Sequence, residues 1–220
     1  MRRTILLAVA AAAFSGCSDS GVVEPRVDAM RGAGFTIPAP NHKGLTVMTR
    51  NVDEGANLDP ILLATDPSVV PIAVGQIWGE VVSNNFPERA GQIAREIAGA
   101  SPQLVGLQEV ALWRLQTGPN PFVPATTVAY DYLRILLDSL HALGANYDSV
   151  FAQAGGDVQL PGVVSVSPLT IIGVRLTERE AIIARHDVHV WDARGGNYQA
   201  AVHIALGGTT ISETRNWVSA

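Results

Sequence analysis

The sequence has little cysteine, little charge and no long apolar run, and each shortage excludes something. Its one cysteine, Cys17, rules out an internal disulfide in this 220-residue chain. Charged residues make up 16% and the formal net charge is −5. An acidic surface repels duplex phosphates, which argues against broad non-specific DNA binding. It leaves a phosphate substrate open, because a bound divalent cation reverses the local sign. No apolar run is long enough to cross a bilayer as a permanent helix. What is present is 47% hydrophobic residues. That excludes disorder and suits one domain, or part of a larger one, with a real core.

The first residues carry an address. Met1-Arg2-Arg3 precedes a short apolar run, Thr4 to Phe14, the pattern of a secretory signal. The run ends Phe14-Ser15-Gly16-Cys17, small residues before a cysteine, which resembles a bacterial lipobox with a lipidated Cys17. The plainer reading is an ordinary signal peptide with a chance cysteine. Residues 1–17 are thus expected to be a lipoprotein signal, and 18–43, rich in Gly, Pro, Ser and Asp, a tether. The expected location is the cell envelope, membrane-anchored and facing periplasm or exterior. Residues 44–220 form the domain.

Leu45–Asn51 reads as a buried strand. Asp59 to about Glu80 is mixed, helical in places and broken at Pro67 and Pro71. An amphipathic helix follows, with Ala90, Ile93, Ala94, Ile97 and Ala98 on one face, Pro87 in its first turn and Gly99 at its end. Leu104–Val110 reads as a second strand. Strand, helix, strand places two strands in one sheet with Asn51 and Glu109 near their C-terminal ends, where polar chemistry gathers in layered α/β folds. A second helix is predicted over about Val128–Leu143, stopped by Gly144. Short β segments are predicted at Leu169–Leu176, Ala181–Ala184, Val188–Trp191, Tyr198–Leu206 and Thr209–Ser212, with Gly207-Gly208 a hairpin turn.

Three segments together resemble the endonuclease/exonuclease/phosphatase superfamily, the DNase I-like metal-dependent phosphoesterases. They are Val47–Asp53, a strand ending in Asn; Pro102–Val110, a strand ending in Leu-Gln-Glu; and Arg175–Arg185, similar to a mid-domain strand of bacterial members. The resemblance implies an α/β fold, the N-terminal portion of a four-layer α/β/β/α sandwich. It implies that Glu109 holds Mg2+ or Mn2+, that Asn51 helps place the phosphate, and that Asp53, in an Asn-x-Asp arrangement, lies at the metal. Glu180 is a possible edge of the site, although Glu178-Arg179-Glu180 also reads as solvated charges flanking a strand. Gln108 is expected to face away from Glu109. The five histidines read as structural or exposed.

The family completes its site with a Thr-His-Leu strand, a Gly-Asp-Phe-Asn loop and a closing Asp-His pair. The sequence has no Gly-Asp-x-Asn and no Asp-His dipeptide. The domain is therefore expected to be incomplete at its C-terminus and weak or inactive as a hydrolase. The functional expectation is an exported, lipid-anchored, divalent-metal-dependent phosphoesterase of unspecified substrate. The alternative is a non-catalytic remnant or binding lipoprotein that keeps the half-fold. No specific nucleic-acid partner is readable.

Overall fold

The computed structural model describes residues 44–220, apart from 119, 207 and 208 and the side chains of 204–213. The segments expected to be a lipoprotein signal and a tether, with Cys17 and His42, and the expected Gly207-Gly208 turn lie outside the described residues.

A strand β1 (Val47–Asn51) leads through a one-turn helix α1 (Asp59–Leu62) into two longer helices, α2 (Val70–Asn84) and α3 (Phe86–Ala100), and then into β2 (Leu104–Gln108). β1 and β2 pair in parallel, from Val47 opposite Leu104 to Asn51 opposite Gln108. Parallel neighbours need a long crossover, and the helices supply it. The sequence expectation that these two strands share a sheet, with their C-terminal ends together, is met.

After β2 come β3 (Leu112–Gln116), β4 (Thr127–Asp131), α4 (Tyr132–Ala142), and two long strands, β5 (Tyr147–Val166) and β6 (Leu169–Arg185). β7 (Arg194–Leu206) and β8 (Thr209–Ser219) close the sequence of elements as a separate antiparallel pair. β6 is the spine. One edge carries β2 on its C-terminal half and β3 on its N-terminal half, and the other edge carries β5 along nearly its whole length.

Val105, Leu107, Ala181 and Ile183 face the helices and are almost fully buried. They join Ile77, Val81, Phe86, Ile93, Ile97, Trp113, Tyr132 and Leu136 in one core. The β7–β8 pair lies against the other face, where Gly195 abuts Phe151 and Gln153, and Asn216 Nδ2 donates to the Gln153 carbonyl at 2.9 Å. The result is a mixed α/β arrangement: helices, a six-stranded sheet, then a two-stranded one.

Several boundaries differ from the sequence reading. Pro71 does not break a helix but sits in the first turn of α2, where its missing N–H costs nothing. α3 ends on Ser101, in the left-handed region, and not on Gly99. The second helix begins only at Tyr132, because Thr127–Asp131 pairs with β3 and Asp131 caps the helix through the Arg134 N–H. The short segments after Tyr147 are merged into long strands, and Val188–Trp191 is not a strand.

Candidate functional site

The site is built on a break in a strand. β2 and β3 run along the same edge of β6, but their registers differ by one residue. The extra residue is absorbed at Glu109–Ala111, a bulge that re-aims side chains. Glu109 takes φ +57°, in the left-handed region that non-glycine residues avoid. The bulge is clamped from β6: Val110 N donates to the Arg179 carbonyl at 2.8 Å, and Arg179 Nε donates back to the Val110 carbonyl at 3.0 Å. Arg179 is itself paired with Asp131 at 2.6 Å.

That turn brings Glu109 to Asn51, whose Nδ2 donates to Glu109 Oε1 at 2.7 Å. Asn51 Oδ1 accepts from the Asp53 N–H at 2.7 Å, so both ends of the amide are committed and its orientation is fixed. Gln108 takes a separate partner, accepting from Thr49 Oγ1 at 3.2 Å.

Asp53 lies at φ +61° and its Oδ1 accepts from the Gly55 N–H at 2.7 Å. Gly55, at φ +100°, has the Tyr132 hydroxyl where a Cβ would stand, so only glycine fits this turn. Below it, Trp113 Nε1 and the Tyr132 hydroxyl both donate to the Glu54 carbonyl, at 2.9 and 3.1 Å. Tyr132 stacks on Phe86 with ring centres 3.5 Å apart. Arg89 of α3 holds the Val52 carbonyl at 2.6 Å. The loop is therefore pinned by the core while two of its neighbours carry strained backbones, a combination common at functional sites.

The charges gathered around Glu54 are negative, and Arg215 acts on Glu180 beside them. Burial pushes the Glu54 carboxyl up to about 8, helped by the negative charges of Glu178, Glu109 and Asp53. Glu180 is also raised, first by burial and then by Glu178, with Arg215 opposing and Glu109 adding to the shift. One carboxylate oxygen on each of Glu54 and Glu180 is buried with no hydrogen-bond partner. Glu178 and Glu180 thus lie within β6 as part of this group, and the reading of solvated flanking charges does not hold for them.

Glu54 and Glu178 were not singled out from the sequence. The only signal for Glu54 was its place in Asn51-Val52-Asp53-Glu54, and for Glu178 the acidic pair around Arg179. Three histidines sit elsewhere: His141 against the Tyr147 carbonyl, His186 paired with Asp148 at 2.9 Å, and His189 beside Trp191.

Two openings border this edge. A polar cleft of about 480 Å³ is lined by Asp53, Gly55, Asn57, Glu80, Ser83 and Asn84. An apolar cavity of about 90 Å³ runs from Glu178 under Ile61, Ile77, Trp113 and Leu176.

Among the described residues, no three His, Cys, Asp or Glu side chains form a ready-made metal cage. A hard cation such as Mg2+ does not need one, since it keeps several waters and takes one or two carboxylates. Glu109 is held through Oε1 by Asn51 and Asp53 through Oδ1 by the Gly55 N–H, so each carboxylate is oriented with its second oxygen outside those bonds, and this donor set fits such an ion.

No family model matches the sequence, and no curated protein matches it. Among solved structures, it is similar to an endonuclease/exonuclease/phosphatase family protein from Leptotrichia buccalis C-1013-b, at 16% identity and a TM-score of 0.36. The match covers 77% of this chain and 52% of that one, so this chain spans about half the length of that protein.

Proposed function

We propose that the edge formed by Asn51, Asp53, Glu54, Glu109 and Glu178 belongs to a divalent-metal-dependent phosphoester hydrolase, carried on an exported protein anchored through lipid on Cys17. The layers seen here are read as part of a four-layer α/β/β/α sandwich. The observation that carries the reading is the Asn51–Glu109 hydrogen bond of 2.7 Å within a group of like-charged carboxylates. A structural cluster of this kind would be paired with cations of the protein's own. Here Arg215 acts on Glu180, while Glu54 is surrounded by Glu178, Glu109 and Asp53, which leaves room for a cation from outside.

In this reading Glu109 and Asp53 hold Mg2+ or Mn2+, which would neutralise charge on the phosphoryl oxygens. Asn51 orients the Glu109 carboxylate through its amide. Glu178 adds negative charge, Glu54 would add its own on losing its proton to an incoming cation, and Glu180 stands at the margin. Asp53 and Glu109 both have left-handed backbones, and each carboxylate is held by a short hydrogen bond. Electrostatic placement of a phosphate, more than covalent chemistry, is what these side chains supply.

The test is Mn2+ binding by the full chain, read by calorimetry, with hydrolysis of a generic phosphodiester followed with and without EDTA. Binding is expected, with a loss of roughly 10–100-fold in Glu109→Ala. Absence of Mn2+ binding, or equal binding by Glu109→Ala, would refute the assignment.

A further inference from the structure

Three loops and strand ends meet at one end of the β5–β6 hairpin. α2 packs there through Gly75, which abuts the Val163 backbone, and through Val74, which abuts Gly162. The loop between β3 and β4 is tied to the same place by Gln159, whose Nε2 donates to the carbonyls of Pro121 and Val123, each at 2.8 Å. The hairpin end itself runs from β5 into β6 across residues 160–173.

The composition of this end is unusual. Residues 60–79, 117–126 and 160–173 together contain one charged side chain, Asp66, in a chain that is 16% charged. Asp66 is turned inward on its own backbone, accepting from the Ser68 N–H at 2.9 Å. Large apolar side chains nevertheless project outward: Val166 is 83% exposed, Phe122 75%, Leu169 67% and Ile72 54%. The far end of the same hairpin is the opposite, with Asp148, Arg185, His186 and Asp187 paired at the surface.

Scattered exposed apolar residues need no explanation, but a contiguous charge-free group of them does. Val166 and Leu169 flank the β5–β6 turn, Phe122 lies in the β3–β4 loop and Ile72 in the first turn of α2, a spread over three segment ends that suits penetration of a soft interface better than reception of a protein helix. Arg175, which lines an opening with Phe122, is paired with Asp157, and the three segments themselves carry no Lys or Arg, which points to neutral lipid, because attraction to anionic lipid needs free Lys or Arg. Among the described residues no helix is long and apolar enough to cross a membrane, so the contact would be peripheral.

The length of chain ahead of the domain permits it. The 26 residues of 18–43 reach roughly 85 Å at full extension. β6, with 17 residues, measures about 55 Å from end to end. A lipid on Cys17 and the apolar end of the hairpin can therefore meet one bilayer.

We propose that the charge-free end formed by the β5–β6 turn, the start of α2 and the β3–β4 loop docks on a neutral lipid bilayer. The proposal does not depend on the metal reading, since none of these residues belongs to the acidic edge. The experiment uses the full chain with Cys17→Ser, bearing a polarity-sensitive fluorophore on Thr170→Cys or, as control, on Ala100→Cys at the other end of the domain.

On addition of phosphatidylcholine vesicles, emission from position 170 is expected to shift to the blue and to be quenched by brominated lipid. Position 100 should do neither. Phe122→Asp in the Thr170→Cys background should abolish the shift. No shift at 170, or equal shifts at 170 and 100, would overturn the proposal. So would a blue shift that appears without vesicles and grows with protein concentration, since a second copy would then cover the surface.

Discussion

Two groups of polar side chains sit next to each other on β6, and they follow opposite rules. Arg175 and Thr177 belong to one, with Asp157 of β5 and Arg114 of β3. Asp157 accepts from Arg175 Nε and Thr177 Oγ1 at 2.8 Å each, and pairs with Arg114 at 3.3 Å. Its carboxyl is held below the usual range, first by the hydrogen bond from Arg175 and then by that from Thr177. Glu178 and Glu180 belong to the other, with Glu54, Glu109 and Asp53, where burial and like charge raise the proton affinity of Glu54 and Glu180. The first group pairs opposite charges and stabilises the sheet, with Arg114 Nε alone left without a partner. The second is left unsatisfied, as functional sites are when local rules are broken for another purpose.

Trp113 stands against the unsatisfied group from below. It is 2% exposed, packs beside Trp78, and donates from Nε1 to the Glu54 carbonyl. Removing it should be the most damaging change. Trp113→Ala is expected to cost about 3–5 kcal/mol in denaturant unfolding, the usual range for truncating a buried aromatic. It should also free the Glu54 loop, so that Mn2+ affinity falls with stability. A loss of stability with Mn2+ binding intact would show that the acidic edge holds its shape without the core beneath it.

How far this was legible in the sequence depends on range. Asn51 and Glu109 could be placed together because each ends an apolar strand, and a strand–helix–strand unit brings such ends to one edge. The bulge that turns Glu109 toward Asn51 could not be read, since it depends on a one-residue register difference against β6, some 70 positions away. Glu54 was missed for the same reason: its environment comes from Glu178 and Trp113, neither of them near in sequence. The helix predicted from Val128 was wrong at its start because Thr127–Asp131 has an apolar pattern that β3 recruits into the sheet, tertiary pairing overriding local preference. The long β5–β6 hairpin looked like short strands because glycines and Pro161 interrupt its pattern. Those residues sit where α2 and the neighbouring loop approach closely, as Gly162 and Gly173 do.

The comparison is sharpened by removing the like charge from the second group. Glu54→Gln is expected to stabilise the metal-free chain, while weakening Mn2+ binding. The Glu54 carboxyl ionises near its ordinary value of 4.5 when unfolded and at about 8 when folded. Between those values the folded state binds more protons, so stability falls as pH rises through this window. The gain from Glu54→Gln should therefore be absent below about pH 4.5 and full above about pH 8. Its size is on the order of 1–2 kcal/mol, well under the full value of 1.36 kcal/mol per pKa unit, because the loop can relax. A Tm for Glu54→Gln below that of the parent at pH 8 would mean that this carboxylate is a structural partner and not a strained one.

The smallest expected effect tests the charge-paired group. Asp157→Asn keeps the shape and removes the charge that Arg175 and Arg114 face. Asp157 is 35% exposed and Arg175 25%, so solvent screens much of the attraction, and a loss of about 1 kcal/mol is expected. The sign with pH runs opposite to that of Glu54. The folded carboxyl titrates below its ordinary value of 3.8, so its contribution is present above that pH and is lost as pH falls through the lower folded value. Asp157→Asn and parent should therefore differ at pH 7 and converge in strong acid. The Arg114 guanidinium, most of it enclosed and with its Nε already buried and unpartnered, is what makes the charge matter at all. If Asp157→Asn were neutral at pH 7, hydrogen bonding alone would account for the cluster. The contrast between the two groups on β6 would then rest on the acidic one only.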